Sequence, residues 1–372
     1  MSLNRFFESM KRGEVSRRDF PRAAASVGLA SVTIPTMARQ AHAADLTVFT
    51  WSGYELPEFM VPFTDKYGSE PNFSFYADND EAFQKVHAGY TPDLVCPSNP
   101  LVKKFYDAGL LKPIDTTRLS NWDQMLDALK TVDATVFNGQ TWYVPWDWGN
   151  SSVVYRPDLV DPEYIENNTW KILWDERYAG RLATNDQMDS IVIPAALVLG
   201  IENPFAMSDE EIAQVKAYLV EQRPLLRYYW QNETDVAQAM ASGEVVAAYG
   251  WNSTAAMLAA EGVPTAYMIP VEGILTWTDG YCLIEGGSGD EQEAYDFMDA
   301  VLSVDAGVHL LNTFGFGCAN KNAYPLVDQD MLAGLGYSDP ENALNTGLFF
   351  ATIESPWREK YLNMVDEVRA GA

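Results

Sequence analysis

The 372-residue sequence predicts an α/β protein of two lobes, each a mixed, mainly parallel sheet flanked by helices, with a ligand cleft between the lobes. Three observations lead there. From Asp45 onward, short apolar runs alternate with helix-period segments, the order that parallel sheets covered by helices produce. The alternation runs to Trp142-Tyr143-Val144-Pro145 and then restarts as a second unit of similar make-up. The composition, 47% apolar, supplies two packed cores, and no low-complexity linker separates them, so the units share an interface of the kind that holds ligands.

The elements follow in order. Leu46-Thr47-Val48-Phe49-Thr50-Trp51 is a buried-strand type of run, followed by a helix at 56–67, a strand at 72–77 and a helix at 81–89. The strand Asp93-Leu94-Val95-Cys96 and a helix at 101–109, closed by Gly109, complete the first βαβαβα series. The second series has strands near 152–156 and 181–184 and a helix at 189–199. Ser208-Asp209-Glu210-Glu211 opens a further helix as a capping box. A helix at 235–242, the strand 245–249, a helix at 253–261 and a strand at 265–269 follow. The remainder holds a strand near 281–285 and helices near 291–302, 305–312 and 355–369. Lobe 1 is expected to comprise 44–150 plus about 278–324, and lobe 2 151–277 plus about 325–372.

The charge narrows the function. With 25 Lys+Arg against 52 Asp+Glu, the formal charge of −27 repels phosphate backbones and anionic headgroups, disfavouring nucleic acid and membrane surfaces as partners. Three His, at 42, 87 and 309, leave little material for a metal or cofactor site, and none is expected. Cys96, Cys282 and Cys318 form no CxxC pair, and their odd number excludes a disulfide framework. Residues 1–43 read as an export signal. Lys11, Arg12, Arg17, Arg18 and Arg22 precede an uncharged stretch from Ala23 to Ala38, and Ala41-His42-Ala43 is a small-x-small cleavage site. Ser16-Arg17-Arg18-Asp19-Phe20 resembles the bacterial twin-arginine signal, with Pro21 where that signal usually has Leu. Cutting after Ala43 removes seven basic and three acidic residues and leaves a periplasmic chain of net charge −31.

No G-x-S-x-G elbow, phosphate-binding loop or H-E-x-x-H occurs, and His87 and His309 sit in helical patterns, so no catalytic residue is expected. What stands out is aromatic residues beside carboxylates and amides at predicted strand ends: Trp51-Ser52-Gly53-Tyr54, Trp146-Asp147-Trp148-Gly149, Asn185-Asp186-Gln187-Met188-Asp189, Trp251-Asn252 and Trp277-Thr278-Asp279. Ligands of open α/β sheets sit outside the carboxyl ends of strands. Indole faces attract cations and carboxylates supply the counter-charge, a combination suited to ammonium groups joined by methylenes. Each has a plainer reading too. Trp146 and Trp148, two apart on a strand, either line the cleft or pack a core, and Asp186 and Asp189 equally serve as a helix cap and dipole partner. Tyr228-Tyr229 offers phenolates for Fe(III), but neighbours on a strand point to opposite faces.

At these residues the chain resembles the extracellular solute-binding proteins of bacterial ABC importers, of the spermidine/putrescine-binding type. The similarity runs through Phe49-Thr50-Trp51-Ser52-Gly53-Tyr54, Asp93-Leu94-Val95-Cys96-Pro97-Ser98, Val144-Pro145-Trp146-Asp147-Trp148-Gly149, Tyr249-Gly250-Trp251-Asn252 and Trp277-Thr278-Asp279-Gly280. The resemblance implies a periplasmic binding protein fold that closes around its ligand by hinge motion. It implies a monomer that delivers to a permease and its ATPase. It makes Trp51, Tyr54, Trp251 and Trp277 the walls of the cleft, Ser52 and Ser98 hydrogen-bonding residues, and Asp279 the partner of a terminal ammonium. Asp186 and Asp189 fall where such proteins carry an acidic pair. Gly53, Pro100 and Phe316 depart from the pattern, weakening one end of a polyamine site that Asp147 or Glu55 could restore. The expected ligand is a small amine cation, a diamine such as putrescine rather than a longer polyamine. The alternatives are a sugar, a quaternary amine or Fe(III) in the same cleft, or an exported glycoside hydrolase using two acids such as Asp186 and Asp279.

Overall fold

The computed structural model describes residues 45–371, so the expected export signal at 1–43 lies outside the described residues. Eight strands carry the architecture: β1 (Thr47–Trp51), β2 (Asn72–Tyr76), β3 (Leu94–Val95), β4 (Val144–Tyr155), β5 (Leu182–Asn185), β6 (Leu226–Trp230), β7 (Ala247–Trp251) and β8 (Leu275–Ile284). They form one hydrogen-bonded path, β2-β1-β3-β8-β4-β7-β5-β6. In one half β1 lies between β2 and β3, and in the other β5 lies between β6 and β7, all in parallel pairs. The halves therefore repeat one strand order. β4 and β8, antiparallel to each other and to their neighbours β7 and β3 on this path, join them.

Two hydrophobic cores result, one for each lobe. β4 gives Trp146 and Trp148 to the first core and Val153 and Val154 to the second, while β8 gives Tyr281 to the first and Leu275 to the second. Both strands thus pass from lobe to lobe. They begin at Val144 and Leu275, several residues before the strands expected near 152–156 and 281–285. Within β4, Gly149 has a packing role: a Cβ there would come within 2.3 Å of Trp277 Cζ2. The expected helix at 56–67 is instead a turn of 3-10 helix, Pro57–Phe59, and a helix, Val61–Tyr67, because Met60 leaves helical backbone and Pro62 restarts it.

One lobe boundary needs correction. Residues 325–344, expected in lobe 2, place Val327, Leu332, Leu335, Tyr337 and Leu344 in the first core, where the Tyr337 ring lies 4.5 Å from Trp148. The short helices Gln329–Gly334 and Pro340–Thr346 bury one leucine each, too little pattern to reveal which core they join. The C-terminal helix Ser355–Ala370 then buries Tyr361, Met364, Val365 and Val368 in the second core.

Candidate functional site

Asp147 on β4 and Asp279 on β8 are register partners where the two strands pass between the lobes. A register shift follows at Asp279/Gly280, and a Cβ at Gly280 would press to 2.5 Å of the Val144 carbonyl, so only glycine lets the strands approach this closely. Tyr54, in the turn after β1, places its hydroxyl 2.6 Å from Asp147 Oδ2 and 2.9 Å from Asp279 Oδ2. A hydroxyl has one proton to donate, so with both contacts made one of the carboxyl groups must itself carry a proton. The Asp279 backbone N–H donates to Asp147 Oδ1 at 3.2 Å, and Asp279 Oδ1 is buried without a hydrogen-bond partner.

Asp147 is fully buried and Asp279 is 6% exposed, and among the described residues no basic side chain pairs with either. Burial, and then the charge of Asp279, holds the Asp147 carboxyl well above the usual range. Burial pushes Asp279 up to about 6, with the Ser98 and Tyr54 hydroxyls pulling the other way. Two adjoining desolvated carboxyl groups are unfavourable as a pair of anions, and a cation arriving between them relieves both the repulsion and the lost hydration.

Indoles sit nearby. Trp51, at the end of β1, meets Tyr76 edge-on at 4.6 Å. Trp277 lies across Gly149 and meets Phe316 edge-on at 4.9 Å, with Phe314 stacked on Phe316 at 5.7 Å. The indole N–H groups of Trp51 and Trp277 are buried without partners. Trp251, at the end of β7, packs edge-on against Trp230 at 5.0 Å. Trp146 lies in the first core, 1% exposed, and meets the site through Tyr54, 4.9 Å away. Trp148 is in the same core, its N–H donating to the Tyr324 hydroxyl, so both tryptophans of this run pack rather than face solvent. Ser52 is exposed in its turn, and Ser98 exchanges two hydrogen bonds with Asn79 and bridges to Asp279. Glu55 turns back to accept the Gly53 N–H at 2.6 Å. Gly53 has φ +102°, a backbone conformation in which an acidic side chain would be strained.

The acids of the second lobe have company that sequence reasoning missed. Asp186 forms an ion pair with Arg369 and accepts from Gln231 Nε2 at 2.6 Å, and Arg369 also donates to the Asp186 carbonyl. Asp189 accepts the Ser190 N–H at 2.8 Å; burial raises its pKa while Arg358 pulls it down. Arg358 itself pairs with Asp80, in the helix Asn79–His87, and so ties the C-terminal helix to the first lobe. Both arginines lie more than 160 residues from the acids they serve, beyond any local pattern. Glu233, at the start of the helix Glu233–Ala241 and three residues after the end of β6, was also missed, since neither β6 nor this helix start was read from the sequence.

Two sheet-built lobes, joined by two crossing strands and lined with acids and indoles at the carboxyl ends of parallel strands, define a two-lobed solute-capturing protein. The chain belongs to the bacterial extracellular solute-binding proteins, whose family pattern matches residues 58–334. It is 24% identical over 359 residues to the putrescine-binding periplasmic protein PotF of Escherichia coli, covering 92% of this chain and 94% of that one. It is 26% identical over 321 residues to a putrescine/agmatine-binding protein of Pseudomonas aeruginosa, covering 80% and 84%. Its fold matches the crystal structure of the spermidine/putrescine ABC transporter substrate-binding protein PotD from Streptococcus pneumoniae with a TM-score of 0.75 at 18% identity, covering 88% of this chain and 99% of that one. The expected two-lobed α/β fold is therefore the observed one. No helix of the described residues is long and apolar enough to cross a membrane.

Proposed function

We propose that this protein is the periplasmic, non-enzymatic capture component of an ABC importer and that its ligand is a small organic amine, a diamine such as putrescine. The observation that carries this reading is the pair Asp147 and Asp279, buried, sharing the Tyr54 hydroxyl, without a basic partner and with one carboxylate oxygen unpaired. A sugar could donate hydroxyls to these acids but would bring no positive charge to offset two adjoining desolvated carboxyl groups, whereas an ammonium brings both the donors and the counter-charge. The names of the relatives point the same way. Trp51, Trp251 and Trp277 supply ring faces for the methylenes and cationic ends, with Tyr54, Ser52, Ser98 and Phe316 completing the cleft. A hydrolase is disfavoured because carboxyl groups that share one hydroxyl leave no room for a sugar ring between them, and Asp186 is held by Arg369.

Calorimetry with putrescine, spermidine, agmatine and neutral sugars tests the reading: heat with an amine and none with a sugar is expected, and the reverse overturns it. Turnover of chromogenic glycosides would revive the hydrolase. Export through residues 1–43 predicts a periplasmic chain starting at Ala44, and full-length protein retained in the cytosol would contradict it. The permease and ATPase of the same importer are the expected partners.

A further inference from the structure

The carboxyl ends of the parallel strands β7, β5 and β6 lead into Trp251, into Asp186 and Asp189, and into Glu233, so three acids share one rim of the second lobe. Two of the three have an arginine: Arg369 pairs with Asp186, and Arg358 acts on Asp189. Glu233 has none among the described residues. Its Oε1 accepts from the Ser253 and Thr254 hydroxyls, both at 2.5 Å, and the Thr254 oxygen in turn accepts the Trp251 backbone N–H at 3.2 Å. One chain of contacts therefore fixes this carboxylate to the residue that supplies the cleft's second-lobe indole. Burial raises the Glu233 pKa, with the two hydroxyls opposing, as befits a desolvated anion without a counter-ion.

Resting on the amine reading, we infer that Glu233 is the second-lobe carboxylate that receives the far cationic group of a diamine whose near end lies at Asp147 and Asp279. The register sets the scale. Trp251 pairs with Ser151, four residues along β4 from Asp147 and on the same face. At roughly 3.3 Å per residue, about 13 Å of strand separates Asp147 from Ser151, the position beside Trp251 to which Thr254 ties Glu233, and a four-carbon diamine hydrogen-bonded at both ends spans about that length. Asp186 and Asp189, with arginines beside them, then serve to seat the C-terminal helix.

The test compares putrescine with 1-aminobutane, which has the same carbon chain and one amine fewer, by calorimetry on the mature protein and on E233Q. The glutamine of that variant keeps an Oε1 acceptor for Ser253 and Thr254, so thermal unfolding should stay near that of the native protein. The native protein should prefer putrescine by at least about tenfold, and E233Q should lose that preference while binding 1-aminobutane within about twofold of the native value. Unchanged putrescine affinity in E233Q, or an equal loss for both amines, would overturn the inference while leaving the amine reading intact. A native protein that binds neither amine would instead overturn the amine reading itself. Should E233Q fail to fold, E233D carries the same comparison, with a partial loss of selectivity expected and none overturning the inference.

Discussion

Replacing Asp279 with asparagine should move ligand affinity and ligand-free stability in opposite directions. In the folded protein burial lifts the Asp279 carboxyl from 3.8 to about 6. A raised folded pKa means the native state holds the proton more tightly than the unfolded chain does. The contribution of this one carboxyl to folding stability is therefore most favourable below about pH 4, falls as pH rises towards 6, and carries its full penalty above that. About two pH units correspond to roughly 3 kcal/mol. The amide of D279N has no charge to desolvate, can still accept the Tyr54 hydroxyl, and leaves Asp147 without its anionic neighbour. The ligand-free variant should thus melt several degrees higher at pH 7.5, with a gain of up to about 3 kcal/mol that vanishes near pH 4. Putrescine affinity should drop roughly 10- to 150-fold, the value of one charge-assisted hydrogen bond of about 1.5–3 kcal/mol. Differential scanning calorimetry with and without ligand, at several pH values, reads both effects. A ligand-free variant that melts lower than the native protein at pH 7.5, with unchanged affinity, would show the carboxylate to be structural and refute the reasoning.

Putrescine binding by the native protein should weaken as pH falls through about 6, because a protonated Asp279 cannot take an ammonium; titration in buffers of different ionisation enthalpy should show a proton released on binding, and a flat profile would count against the acid pair. Gly149→Ala places a Cβ 2.3 Å from Trp277 Cζ2, so displacement of the indole should cost about 1–3 kcal/mol in thermal unfolding and weaken putrescine binding at least several-fold. Arg369→Gln removes the partner of Asp186 at a site where the arginine side chain is 32% exposed, so the stability loss should stay near or below about 1 kcal/mol and putrescine affinity within about twofold. A tenfold gain in affinity would instead make Asp186 an amine anchor.

Most helices and the parallel strands other than β6 were legible because each is a local pattern: the Ser208–Glu211 capping box forms as read, and β1 and β2 match their apolar runs closely, whereas β6 (Leu226–Trp230), a mix of leucine, arginine and aromatics without strict alternation, was not read as a strand. The crossing strands were not. Their polar, glycine- and proline-containing halves take strand form because the partner strand meets their backbone and Trp277 fills the space over Gly149, neither of which leaves a period in the sequence. The same holds for the site. Trp51 and Trp251 stand at strand ends as read, whereas Trp277, read as a strand-end indole, is the third residue of β8, and that Asp147 stands against Asp279 is a matter of β4–β8 register across 132 residues. Asp147 and Glu55 looked interchangeable as extra acids until the structure set one beside Asp279 and turned the other onto the Gly53 N–H. Arg369 reaches Asp186 from 183 residues away, and sequence reasoning had no means of knowing that the acid was occupied.

The most direct test of the amine site is a crystal structure of the mature protein grown with putrescine. An ammonium nitrogen within hydrogen-bond distance of Asp279 Oδ1, the oxygen now without a partner, and close to Asp147 is the expected result. Putrescine bound at Asp186 with Arg369 displaced, or a cleft that takes a neutral solute while the acid pair stays closed on Tyr54, would contradict it.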